Sequence, residues 1–78
     1  MATRFQGRLL RRSRLRADFS TIQASSELGV HRSTLTRYEN NEHDPPAGLL
    51  SAASELYDAP IMDWFVDDQE SPVPAGAV

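Results

Sequence analysis

Apolar residues recur at helical spacing in several short stretches, and polar or helix-breaking residues bracket each one. Phe5, Leu9 and Leu10 begin an apolar face that Ala17 closes, while Arg8, Arg11, Arg12 and Arg16 fall toward solvent, which predicts a first helix from about Arg4 to Arg16. Thr3-Arg4-Phe5-Gln6 has capping-box spacing, so Thr3 is expected at the N-cap with Gln6 reaching back. Ser20-Thr21-Ile22-Gln23 repeats the pattern and starts a short second helix ending near Glu27, with Phe19 placed to staple toward Ala24. Leu28-Gly29-Val30 reads as a tight turn, because glycine takes the left-handed conformation that ends a helix.

A third helix is expected from Arg32 to Glu39, with Leu35 and Tyr38 inward and Asn40-Asn41 closing it. Glu42 to Pro46 is a loop, since its two prolines forbid helix until Pro46, which suits a first turn. Leu49, Leu50, Ala53, Leu56 and Tyr57 define a fourth helix from about Ala47 to Tyr57, and Asp58-Ala59-Pro60 ends it. The apolar run Ile61 to Val66 reads as a short fifth helix. Residues 67–78 turn acidic, then rich in proline and small side chains, and are expected to be a disordered tail. One domain over 1–66 with this tail is the predicted organisation.

Size limits what such a chain can do. Seventy-eight residues bury only about 60% of their unfolded surface, which favours a binding module over a catalytic cleft. Cysteine is absent, so neither disulfides nor thiolate zinc sites hold the fold. His31 and His43 lie far apart with no thiolate to join them, so neither a metal nor a Ser-His-Asp site is expected, and no cofactor or small-molecule ligand. No apolar run is long enough to span a membrane. Arginines near the start have no apolar stretch behind them, so no secretory signal is expected and the predicted location is cytoplasmic.

Charge changes the picture more by its placement than by its sum. The net charge is −3, yet residues 1–37 hold all eight arginines against only Asp18 and Glu27, while residues 38–78 hold acids and no base. The basic half can dock on phosphates with the acidic half facing away.

Two short helices separated by a glycine turn, each too small to fold alone, form the core of a helix-turn-helix. Ser25 is the small residue required where the helices cross, Gly29 lies in the turn, and Ala24, Leu28, Val30, Leu35 and Tyr38 close the contact. The positions of the second helix of the pair that must be exposed, Arg32, Ser33, Thr36 and Arg37, are polar. An isolated helix would carry such arginines as plain solvated residues; here the turn aims them at a ligand.

At this point the sequence resembles the lambda-repressor-like (Cro/CI-type, XRE) DNA-binding domains, over roughly Phe5 to Val66. The most specific stretch runs from Leu28 through Gly29-Val30-His31-Arg32-Ser33-Thr34-Leu35-Thr36-Arg37-Tyr38-Glu39 to Asn40, with Gly7, Leu10, Arg11 and Arg14 at family spacing upstream. The resemblance implies an all-α, compact five-helix fold with the helix-turn-helix at helices 2 and 3. It implies sequence-specific double-stranded DNA binding by a transcription regulator of bacterial or phage type, a repressor, working as a homodimer. Base contacts are expected from Arg32, Ser33, Thr36 and Arg37, and phosphate contacts from Ser20, Thr21, His31, Thr34 and Asn40. Arg14 and Glu39 match a family ion pair tying the first helix to the third.

Departures from the pattern carry expectations of their own. Asp18 stands where relatives often have glycine, Ser13 and Ala24 replace usual core leucines and predict a loosely packed core, and His31 takes an N-cap position where Ser or Thr is usual. The loop Glu42-His43-Asp44 is acidic where relatives carry bases that touch the DNA backbone, so it is expected to repel phosphate. The acidic loop and tail also suit a second class, an antitoxin-like or adaptor protein that binds another protein through the tail or the Trp64/Phe65 region.

Overall fold

The computed structural model describes residues 3–67; the predicted tail lies outside the described residues except for Asp67. The described chain runs β1 (Thr3–Phe5), α1 (Gly7–Arg16), α2 (Thr21–Leu28), α3 (Arg32–Glu39), α4 (Ala47–Tyr57), a 3-10 turn (Ile61–Trp64) and β2 (Phe65–Asp67). Helices 2, 3 and 4 form where the pattern predicts them, and Pro46 sits at the N-cap of α4 rather than inside its first turn.

The larger departures lie at the ends of the fold, where α1 starts at Gly7 and not near Arg4. The fold is not five helices: it has four α-helices among the described residues, plus an antiparallel ribbon in which Thr3, Arg4 and Phe5 pair with Asp67, Val66 and Phe65. The Thr3-Gln6 capping box does not form; Gln6 is the N-cap, with no side-chain bond. Phe5 explains the switch: it is buried, and its ring meets that of Phe65 edge-on at 5.9 Å. The fifth helix shortens to one 3-10 turn after Pro60, and Phe65 is already extended at φ −117° and ψ 143°. A short continuous apolar run fits either helix or strand, and here the partner strand decides.

The start of α1 is fixed by long-range contacts instead of a local cap. The Gly7 amide donates to Asn41 Oδ1 at 2.7 Å, and the Gln6 amide to the Trp64 carbonyl at 2.8 Å. Gly7 lies so close to α3 that a Cβ would collide with the carbonyl oxygens of Tyr38 and Glu39.

Phe5, Leu10, Ala24, Leu35, Leu50, Ala53, Tyr57 and Trp64 make the core. Trp64 is completely buried, and its indole N–H donates to Ser13 Oγ at 2.8 Å. Ser13 therefore meets a need that leucine could not, since a buried indole N–H requires an acceptor. Asp18, where relatives often have glycine, sits at φ 68°. Asp is among the few non-glycine residues that enter this region readily.

Candidate nucleic-acid interface

The α2–α3 unit is built by local rules that all agree. Ser20 Oγ accepts from the Gln23 amide at 3.0 Å while Gln23 Oε1 accepts from the Ser20 amide at 2.9 Å, a complete capping box. Gly29 ends α2 at φ 74°, and its amide and that of Val30 return to carbonyls in the last turn. Ser25 is buried, with its hydroxyl donated to the Ile22 carbonyl at 3.1 Å, so it carries no unpaired polar atom into the helix crossing. His31 then caps α3: Nδ1 accepts from the Ser33 amide at 3.1 Å and lies 2.8 Å from Ser33 Oγ. An accepting Nδ1 places any ring proton on Nε2, the nitrogen turned away from the cap.

A buried ion pair locks α3 against the rest of the domain. Arg14 Nε donates to Glu39 Oε2 at 2.8 Å and Nη2 to Oε1 at 3.1 Å, a two-pronged contact, while Nη1 donates to the Phe19 carbonyl at 2.9 Å. Hydrogen bonding to Glu39 outweighs burial and raises the Arg14 pKa above its usual value. One guanidinium thus joins α1, the end of α3 and the residue just before the Ser20 cap. That fixes where α2 begins relative to α3.

Tyr57 lies in the same part of the core, its ring 5.9 Å from that of Phe19 and 6.3 Å from that of Trp64. Its buried hydroxyl has no hydrogen-bond partner among the described residues. Burial first, then the negative charge of Glu39, pushes its pKa up to about 12, against the opposing influence of Arg14.

With α3 held in this way, its outer face is open. Arg32, Ser33, Thr36 and Arg37 are exposed, and together with Thr21 and Glu42 they line a shallow groove of about 530 Å³. The structure thus brings the four expected base-contact residues together with Thr21. Ser20, His31 and Asn40 are exposed and Thr34 is half-buried, but none of the four lines the groove. Ser33 is partly committed, because its hydroxyl faces His31.

The acidic loop divides in two. Glu42 joins the groove, whereas Asp44 lines a separate hollow with Thr3, Phe5, Asn41, Pro45, Leu50 and others, of about 350 Å³. The sequence predicts a single repelling loop; the separation depends on Asn41, whose φ of 67° turns the chain back so that the Glu42 amide donates to the Arg37 carbonyl at 2.9 Å.

Of the residues considered for a protein partner, Trp64 is enclosed, and Phe65 is half-buried against Phe5. Leu15, Ile22 and Met62 are the large apolar side chains left exposed among the described residues. Among the same residues, no group of three or more His, Asp or Glu is arranged to hold a metal ion, and no helix is long and apolar enough to cross a membrane.

A family model described as a helix-turn-helix domain matches residues 7–63, well over half of the chain. This agrees with the lambda-repressor-like resemblance carried by the stretch from Leu28 to Asn40. Comparison with curated proteins and with solved structures returned no match.

Proposed function

Because the chain belongs to the helix-turn-helix domain family, whose work is DNA binding and transcription regulation, we propose that it is a sequence-specific double-stranded DNA binder acting as a repressor of bacterial or phage type. The observation that carries this reading is the groove in which Arg32, Ser33, Thr36 and Arg37 stand exposed beside Thr21. In the proposal α3 enters the major groove. Arg37 and Arg32 read guanine, whose O6 and N7 match the arginine fork, with Ser33 and Thr36 beside them. Ser20, Thr21, His31, Thr34 and Asn40 position phosphates, His31 through Nε2. One helix of this length spans few base pairs, so the working form is a homodimer on a two-fold site with half-sites about 34–36 Å apart. A cytoplasmic, nucleoid-associated location goes with this reading.

Selection of bound sequences from random duplex, followed by a salt titration on the winner, tests it. The reading expects a defined consensus and an affinity that falls steeply with salt, with a log–log slope of about 0.9 per phosphate contact. Arg37→Ala should relax preference at one base pair, at a cost of about 1–3 kcal/mol there. Equal weakening on every sequence would reduce Arg37 to a phosphate contact. The acid-rich second half of the chain and the exposed Leu15, Ile22 and Met62 favour the adaptor or antitoxin-like alternative, which expects little duplex binding at any salt.

A further inference from the structure

Glu42 does not fit the picture of an acidic loop that merely repels DNA. Glu42 lines the same groove as Arg32, Thr36 and Arg37, and its amide is tied to the Arg37 carbonyl at 2.9 Å. The turn that carries it is anchored in turn, because the Asn41 side chain accepts from the Gly7 amide at the start of α1. The backbone at Glu42 is therefore held against the last turn of α3, and its side chain is exposed. Among the described residues its carboxylate forms no hydrogen bond or ion pair, although two arginines share the groove. The face thus presents guanidinium donors and a free acceptor side by side.

A carboxylate has acceptors only, so it can engage DNA only where DNA offers a donor. Phosphates offer none. On the floor of the major groove the donors are the N4 amino group of cytosine and the N6 amino group of adenine. Adenine sets its acceptor N7 beside that amine, which opposes a second carboxylate oxygen, whereas cytosine presents its amine without a neighbouring acceptor on the same base. On the DNA-binding reading above, on which this inference rests, we propose that Glu42 is a specificity-determining residue that accepts from the N4 amine of a cytosine in a base pair beside the one read by Arg37.

The test is selection from random duplex with the native protein, Glu42→Gln and Glu42→Lys, followed by affinities on the selected site and on its single-base variants. Glu42 is exposed with no side-chain bond among the described residues, so both variants should keep the native circular dichroism and melting temperature. The expected result is a cytosine preference at one position in the native protein. Glu42→Gln should lose it or turn it toward adenine, whose N6 and N7 suit an amide, with discrimination there changed on the order of ten- to a hundred-fold and the Arg37 position unchanged. Uniform tightening by both variants on all sequences, with the consensus intact, would overturn the inference and leave simple phosphate repulsion. Unaltered affinity and consensus would overturn it too. Failure of the native protein to select any duplex would instead remove the DNA-binding reading, and this inference with it.

Discussion

Thr3-Arg4-Phe5-Gln6 and Ser20-Thr21-Ile22-Gln23 carry the same capping pattern, and only the second caps a helix. At Ser20 the box closes because nothing competes: Ser20, Ile22 and Gln23 are exposed, and the local bonds are the best use of those amides. At Thr3 a competitor exists. Placing Phe5 in the core against Phe65 requires an extended backbone, and burying a phenylalanine side chain is worth about 1.5–3 kcal/mol, more than the roughly 1 kcal/mol of a cap. The first amide of α1, that of Gly7, then finds its acceptor at Asn41, far along the chain. A local signal decides local structure only where tertiary packing offers less. The two ends of this small domain differ on that point, with α2 built from its own sequence and α1 held from outside.

The sharpest way to break that contrast is to cut the outside hold. Glu39→Ala would leave the Arg14 guanidinium buried without its partner, and such a loss costs about 3–5 kcal/mol. Since domains are typically stable by only about 5–15 kcal/mol, the midpoint of urea unfolding should fall severely. Glu55→Ala, on an exposed face of α4, should stay within about 0.5 kcal/mol. Arg14→Met combined with Glu39→Leu should recover much of the loss, because apolar replacement of both partners removes the unpaired charge. Equal midpoints for Glu39→Ala and Glu55→Ala would mean that the pair does not hold α1 to α3.

Tyr57 tests the cost of packing without local satisfaction. Its hydroxyl is buried with no partner among the described residues, so Tyr57→Phe at neutral pH should be neutral or stabilising, as an unsatisfied buried group costs about 1–3 kcal/mol. The pH response has a definite sign. The folded pKa is raised to about 12 from an ordinary value of 10.0, so the fold keeps a proton that the unfolded chain releases first. Stabilisation from this group is complete below about pH 10 and is lost as pH rises toward 12. Urea midpoints followed over that window should fall more steeply for the native protein than for Tyr57→Phe. Parallel decline would show that burial does not hold the phenol neutral.

The same contrast explains what was legible in the sequence. The capping box at Ser20, the left-handed Gly29, the outward polar row of α3 and the stripe of α4 each rest on neighbours within one or two turns, and each can be read from spacing. The ribbon could not, because Phe5 and Phe65 are sixty positions apart, and neither stretch alone favours strand over helix. Ser13 is the same case. It reads as a missing core leucine until Trp64 arrives from the far end of the chain to need its oxygen. Within the candidate interface, the outward face of α3 followed from the turn, whereas the separation of Glu42 from Asp44 depended on the backbone reversal at Asn41.

The smallest effects bear most directly on the two capping patterns. Ser20→Ala removes the acceptor for the Gln23 amide and should cost about 1 kcal/mol, within the usual range for loss of an N-cap side chain. For a domain of this size that corresponds to a melting temperature lower by roughly 4–8 °C. Ser20→Gly should cost less, because glycine tolerates the N-cap backbone even without an oxygen. Thr3→Ala should be nearly silent, since Thr3 is exposed in β1 and caps no helix. Its small residual effect should follow strand propensity, where threonine is favoured over alanine. If Thr3→Ala destabilised the domain as much as Ser20→Ala, the first pattern would be acting as a cap after all, and α1 would begin before Gly7. If neither variant moved the melting temperature, local capping would matter at neither end, and α2 too would be held by its packing on α3 and α4.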